Sequence, residues 1–273
     1  MLKIKDSCRE IFLVGLVISL LAMTNEARAE DAVVRVCDDV AEYPPYVVRS
    51  RDDKSKAAGA THDLLAILFE RMGIRYKVDL LPWKRCLVSV EQFSSSKGYE
   101  AFVNASYSNE RAEKYLVSQP LYSISNAYWY DQRRHNQQPL NGLSNVGDFS
   151  FCSMRGYNTE WLSKVAPKVK FEQMNSYDAG FRMMESGRCD LMLGAIPVIR
   201  GLEQINGKAF SSHSKPVIFP EALANTYHLY VSRNSPRGEE LIQRFNETLA
   251  ALQAENIVEE IYREYLPECG TDC

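Results

Sequence analysis

The sequence predicts an α/β fold built from two successive strand–helix series. Three observations carry this expectation. Short apolar strands alternate with amphipathic helices from Ala32 onward, the polar stretch DQRRHNQQPLNGLSNVGD (131–148) interrupts the alternation, and a second series of the same kind follows it. Strands separated by helices argue for a mostly parallel sheet with helical layers in each series.

The elements follow in chain order. AVVRVCDD (32–39) is a short apolar strand that ends in acid and runs into the Pro-rich loop EYPPY. THDLLAILFERMG reads as a helix with Thr61 as N-cap, Leu64, Leu65, Leu68 and Met72 on one face, and Gly73 as its stop. YKVDLL is strand-like. PWKRCLVSVEQF is helical, with Trp83, Leu87 and Val90 on one side, and YEAFVNAS is a third strand. Beyond the polar stretch, FSFCSMRG is a strand and NTEWLSKVA a helix. YDAGFRMMESG is a helix capped by Ser176 and stopped by Gly187, and CDLMLGAI is a buried strand. ANTYHLYVSR precedes two closing helices. In the first, Ser235 is the expected cap, Pro236 takes the first helical position, and Leu241, Phe245, Leu249 and Leu252 form one stripe. The second carries Ile257, Val258, Ile261, Tyr262 and Tyr265.

The N-terminus stands apart from this pattern. A mildly basic start, the apolar run IFLVGLVISLLAM (11–23) and the sequence Ala27-Arg28-Ala29 form the three parts of a secretory signal. The run is too short to span a bilayer, so residues 1–29 are expected to be a cleaved signal peptide, with an N-terminal anchor helix as the alternative. Cys8 precedes the run and would be lost with it. The mature chain would be exported, carry a net charge of about −4 and offer no basic stripe for nucleic acid. Six cysteines would remain, an even number that favours disulfides in an oxidising compartment. There is no C-x-x-C, and His62, His135, His213 and His228 are scattered, so neither a metal site nor a cofactor is expected.

The chemistry concentrates in NASYSNERAEKYLVSQPLY (104–122), where Asn104, Ser106, Ser108 and Asn109 lead from a strand to Arg111. A guanidinium suits a carboxylate held by two parallel hydrogen bonds, and ligands in open α/β sheets gather beyond the carboxyl ends of the strands. The competing account is a surface arginine beside Glu110 or Glu113, neither at the three- or four-residue spacing of a helical ion pair. Trp83 has two roles open, core packing or a cleft wall. Asp38, Asp39 and Glu42 stand either as solvated loop acids or as a cluster selecting a cationic group. Arg155 is a second candidate clamp.

RVCDDVAEYPPY, LPWKRCL, ASYSNERAEKYLVSQPLY and GRCDLML occur in the order seen in bacterial periplasmic solute-binding proteins of ABC importers. The chain resembles the family that binds polar amino acids and related solutes, over essentially all of the mature sequence. The resemblance implies a two-lobe, Venus-flytrap type 2 fold with two crossover strands. Lobe 1 would comprise 30–124 plus 226–273, lobe 2 would comprise 125–225, and the hinges would fall near 123–127 and 222–227. Arg111 would grip a ligand carboxylate, with Asn104 and Ser106 beside it and Tyr43 packing on the ligand from the first lobe. Asn158 and Thr159 would bring polar donors from the second. Trp83 and Asp39 complete the candidate set, and Tyr128, Trp129 and Tyr130 would pack a crossover strand. Two positions depart from the pattern: Ala195 stands where amino-acid binders place an ammonium-binding aspartate, and Glu100 replaces an aspartate. Of the fifteen ways to pair six cysteines, Cys37–Cys86, Cys152–Cys189 and Cys269–Cys273 are favoured within this arrangement.

The resemblance implies capture of a small polar solute, a transient partnership with a membrane permease, and a monomer. The alternative is a periplasmic enzyme on the same scaffold, dehydratase-like on a small carboxylic acid. Glu160 and Asp178 are the second-lobe carboxylates available for it, although no G-x-S-x-G, H-E-x-x-H or phosphate loop occurs. A sensor module would want a membrane-spanning segment, which the mature sequence lacks.

Overall fold

The computed structural model describes residues 33–94, 98–220 and 223–266. The expected signal peptide and the Cys269–Cys273 pair lie outside the described residues. Two mixed sheets divide the chain. The first contains β1 (Val34–Asp39), β4 (Tyr76–Leu81), β5 (Ala101–Ser106), β6 (Tyr115–Val117), β7 (Tyr122–Ile124) and β13 (Asn225–Ser232), in the order β4-β1-β5-β13-β6 with β7 also on β13. The second contains β8 (Ala127–Asp131), β9 (Ser150–Met154), β10 (Lys170–Met174), β11 (Leu191–Leu193) and β12 (Ser214–Ile218), in the order β10-β9-β11-β8-β12. A small hairpin pairs β2 (Val48–Arg49) with β3 (Ala57–Ala58).

The parallel expectation holds inside each series: β1 runs parallel to β4 and β5, and β9 runs parallel to β10 and β11. The antiparallel members are β13 and β8. Each of these strands arrives from the other lobe. A parallel strand delivers its carboxyl end to the gap between lobes, whereas a strand that comes across the gap begins there and must run the other way. The crossings lie between β7 and β8 and between β12 and β13. They are tied together, since Asn225 Nδ2 donates to Asn126 Oδ1 at 2.9 Å and Asn126 Nδ2 donates to the Leu223 carbonyl.

Helices cover both sheets. In the first lobe these are α1 (Ala60–Arg71), α2 (Trp83–Glu91), α3 (Asn109–Lys114), α7 (Gly238–Ala254) and α8 (Ile257–Tyr265); in the second, α4 (Glu160–Val165), α5 (Tyr177–Glu185) and α6 (Ile196–Asn206). The expected stripe of α7 is buried at Leu241, Phe245, Leu249 and Leu252, and Ser176 caps α5 by accepting from Ala179 N at 3.2 Å. In β8, Trp129 packs edge-on to Phe181 on one face and Tyr128 meets Phe219 on the other, as a strand covered on both sides requires.

Two expected caps are corrected. Gly59, at φ 112°, precedes α1, and the carbonyls of Pro45 and Tyr46 accept from Ala60 N and Thr61 N at 3.0 and 3.2 Å. The loop therefore satisfies the orphan donors, and a Cβ at Gly59 would lie 2.7 Å from the Pro45 oxygen. Ser235 instead donates to Glu100 Oε1 at 2.6 Å, and α7 begins at Gly238. Glu100 is buried and also receives Arg237 Nε and Nη2 at 2.9 and 2.6 Å, so this departure from aspartate supports a bidentate structural pair.

Two expected disulfides are formed. Cys37–Cys86 ties the end of β1 to α2 and Cys152–Cys189 joins β9 to the start of β11, with Cα separations of 5.7 and 5.6 Å. Replacing Cys37 and Cys86 together by serine removes a bridge across a sequence separation of 49. In the chain-entropy account this should lower the urea-unfolding free energy by about 4 kcal/mol; a loss below about 1 kcal/mol would mean that the bridge constrains little.

Candidate functional site

Opposed strand ends line a cavity between the lobes. The carboxyl ends of β1 and β5 supply Asp38, Asp39 and Asn104–Ser106; those of β9 and β11 supply Ser153, Met154 and the run Leu193–Ala195. The starts of the crossing strands add Asn126, Ala127, Asn225 and Tyr227. The cavity leaves about 90 Å³ for the centres of water-sized atoms, room for a compact solute rather than a peptide. All eight expected site residues (Asp39, Tyr43, Trp83, Asn104, Ser106, Arg111, Asn158 and Thr159) lie on its wall.

Arg111 is placed by its own short helix. Ser108 caps α3 by accepting from Arg111 N at 3.2 Å, which turns the side chain back toward β5. There Nη1 donates to the Ser106 carbonyl at 2.6 Å and to Ser106 Oγ at 3.1 Å, and the guanidinium lies 5.9 Å from the Trp83 ring. Glu110, the nearby acid, pairs with Lys114 at 2.8 Å, and among the described residues no carboxylate pairs with Arg111. Burial pushes its pKa down, but a guanidinium stays charged throughout the physiological range. Trp83 serves both roles left open, with its ring edge-on to Phe102 at 5.7 Å and part of it on the cavity wall.

Asn104 and Asn158 have committed side chains. Asn104 adopts φ 59° and donates to Asp38 Oδ2 at 2.6 Å, while its Oδ1 accepts from Thr61 Oγ1 and the Tyr122 hydroxyl at 2.7 and 2.8 Å. Its amide therefore organises the wall from behind. Asn158 Nδ2 donates to the Tyr107 carbonyl of the first lobe at 2.9 Å, and its Oδ1 accepts from Glu160 N at 2.9 Å. It fastens one lobe to the other at the rim of the cavity. Thr159 stands just before α4, on the same wall.

The two aspartates separate by environment. Asp38 is fully buried and accepts from Asn104, from Asp39 N at 2.7 Å and, at 3.3 Å, contacts His62 Nε2. Asp39 faces the cavity. Burial pushes its carboxyl up to about 6, opposed by the Ala41 N–H at 3.0 Å and reinforced by the charge of Asp38. Glu42 accepts from Arg49 N and does not reach the cavity wall, nor does Arg155. Tyr43 is buried with its hydroxyl 3.0 Å from that of Tyr227, and its ring lies 6.1 Å from Tyr157 of the second lobe. The second-lobe acids named above lie elsewhere, Glu160 pairing with Lys164 at 2.9 Å and Asp178 with Arg182.

Asn126, Tyr157, Trp161, Tyr177, Asn225 and Tyr227 also line the site, and no local sequence pattern singles them out. Tyrosines and a tryptophan scattered in this way read equally well as core.

Residues 34–268 match the profile of the bacterial extracellular solute-binding proteins, family 3. The chain belongs to this family. No curated protein matches it in sequence. An ancestral arginine-binding protein bound to arginine superposes with TM-score 0.66 at 16% identity, covering 87% of this chain and 100% of the other. A histidine kinase sensor domain with similarity to periplasmic binding proteins gives TM-score 0.70 at 21% identity, over 87% and 97% of the two chains. The arginine-, lysine-, histidine-binding protein of the thermophile Geobacillus stearothermophilus gives 0.66 at 16%, over 86% and 97%. At these identities the likenesses establish the two-lobe binding-protein fold of this family 3 member. Among the described residues no helix is long and apolar enough to cross a membrane.

Asp39 carries a stability signature. Its folded pKa of about 6 exceeds its ordinary value of 3.8, so the folded state holds the proton more tightly and loses stability as pH rises from about 4 to 6. Asp39→Asn should therefore raise the melting temperature of the ligand-free protein at pH 7.5 and change it little at pH 4. Equal shifts at both values would mean that Asp39 is not desolvated. Asn158→Ala removes the rim hydrogen bond and should increase the radius of gyration of the ligand-free protein in small-angle scattering; an unchanged radius would deny it a fastening role.

Proposed function

We propose that this family 3 protein is a periplasmic receptor that captures a small, carboxylate-bearing, amino acid-like solute between its lobes and presents the closed form to an ABC importer. The observation that supports this best is the guanidinium of Arg111, held at the wall of an interlobe cavity with no carboxylate partner among the described residues. Oriented by Ser106, it presents its remaining N–H groups to a carboxylate, a contact worth about 1.5–3 kcal/mol. Contacts from both lobes make occupancy favour the closed arrangement, and the paired crossings near 123–127 and 222–227 allow rigid-body closure, residues 221–222 lying outside the described set. Residues 1–29 act as the export signal in this reading, lobe 1 spans 30–124 plus 226–273, lobe 2 spans 125–225, and the protein works as a monomer. Solved proteins of this fold that bind arginine or other amino acids agree with such a ligand class.

A second reading, an enzyme acting on a small carboxylic acid, draws on Asp39, a cavity acid that titrates near 6. Incubation with cyclic carboxylic acids, followed by NMR, separates the two: a receptor leaves the acids unchanged, and product formation that requires Asp39 establishes the enzyme.

Thermal-shift screening of amino acids, betaines, polyamines and organic acids should identify compounds that raise the melting temperature. Arg111→Ala should weaken the best of them by about 10- to 100-fold. An undiminished shift in the variant would remove Arg111 from the site.

A further inference from the structure

Helix α6 of the second lobe lies against the loop that carries Tyr43 in the first. Gly201 sits inside this helix in ordinary helical backbone, where alanine is the better helix former. A Cβ there would nevertheless lie 2.8 Å from Cβ and 3.0 Å from Cγ of Pro44, and the next atom, at 3.6 Å, also belongs to Pro44. The missing side chain therefore makes room for the other lobe. Neither side can give way locally. Pro44 is buried in a loop closed by hydrogen bonds between Tyr43 and Val47 at 2.7 and 3.1 Å, and the Pro45 and Tyr46 carbonyls are held by the first N–H groups of α1. Across from it, Val198 and Ile199 bury α6 in the second lobe, and the Arg200 guanidinium lies 5.4 Å over the Trp129 ring.

Behind the crossings runs an apolar groove that, among the described residues, shares no lining residue with the cavity. Its walls include Tyr122, Val258 and Leu266 from the first lobe and Ile196, Pro197 and Ile218 from the second, and it leaves about 750 Å³ for the centres of water-sized atoms. Chain neighbours divide between the two spaces. Asn126 and Ala195 line the cavity, whereas Ser125 and Ile196 line the groove. Tyr227 on the cavity wall stacks at 4.8 Å on Tyr122 of the groove wall. The first crossing and this tyrosine layer thus form a thin partition, and a rotation about the crossings that widens one space narrows the other.

We propose that the closing equilibrium is set from outside the cavity, by Gly201 as the seat that lets Pro44 close the lobes and by the groove as the space that shuts when they open. This rests on the closing motion of the receptor reading, not on Arg111 or the identity of the solute. In the arrangement described, the seat is taken and the groove stands open, with Ile218 and Leu266 exposed on facing walls. Opening the cavity brings those apolar walls together and removes their surface from water, which favours the open arrangement when no solute is bound. Closing separates the walls again. The close approach of Pro44 that accompanies it, beside the Asn158 bond to Tyr107, is available because Gly201 lacks a side chain. Residues off the cavity wall thereby fix how much of the solute's binding energy is spent on closure.

Small-angle scattering of the ligand-free protein tests this, with thermal melts of the same samples. Gly201→Ala should give a larger radius of gyration than Ile218→Trp, whose indole fills the groove and holds its walls apart. Wild type should match one of the two values or fall between them. Gly201→Ala added to Ile218→Trp should restore the larger radius. By itself the alanine should leave the melting temperature unchanged or raised, because it suits the helix and meets only the other lobe. Leu266→Trp, on the facing wall, replaces Ile218→Trp if that protein aggregates. Equal radii for Gly201→Ala and the groove-filling variant overturn the proposal, as does a double variant as compact as the tryptophan variant alone. A lower melting temperature for Gly201→Ala at the wild-type radius also overturns it, since the glycine would then serve packing within its own lobe. Scattering reads closure without a solute, so a failed search for a carboxylate ligand leaves the proposal intact.

Discussion

A chain that builds one lobe, then another, and then returns must cross the gap twice, and this constraint shapes the rest of the molecule. Each crossing strand enters its new sheet from the gap, which fixes β8 and β13 as the antiparallel members. It also places the first residues of both strands on the cavity wall, opposite the last residues of the parallel strands. Topology alone therefore converges four kinds of strand end on one volume. Asn126 and Asn225, at the crossings, pair with each other through their side chains, and Asn126 also satisfies the Leu223 carbonyl, which lies outside any strand.

Behind the wall, the first lobe invests heavily in one buried carboxylate. Asp38 is tolerable at full burial because several donors converge on it, and the most important of these, Asn104, is held in the left-handed region. That strained residue in turn collects Thr61 of α1 and Tyr122 of β7. The network spans β1, β5, β7 and α1, so the geometry of the end of β5, from which Arg111 is positioned, is set by side chains whose polar atoms are committed to one another. Stacked tyrosines continue it: Tyr46 on Tyr122 at 4.2 Å and Tyr122 on Tyr227 at 4.8 Å.

Periodicity and turn residues in the sequence reveal most elements, since α1, α2, α5, α7, α8 and the central strands announce themselves locally. Features decided by distant partners are not legible. Thr61 and Ser235 have the chemistry of caps, but Asn104 and Glu100 claim their hydroxyls from elsewhere in the chain. Helix α6 is masked by Pro197 and Gly201; the glycine is there because a Cβ would come within 2.8 Å of Pro44 in the other lobe. At the site, Arg111 is legible because a strand, a run of short polar side chains and a lone guanidinium lie together in sequence. Tyr157, Tyr177 and Tyr227 are not, because three tyrosines far apart in the chain look like core until the fold brings them to one surface. Asn158 is legible as polar but not as a rim fastener, which depends on a carbonyl of the first lobe.

Neither disulfide joins the lobes: Cys37–Cys86 lies wholly in the first and Cys152–Cys189 wholly in the second. Among the described residues, then, each bridge stiffens one lobe and none ties the two covalently. Reducing these two bridges should therefore weaken each lobe from within and leave the contacts between the lobes in place.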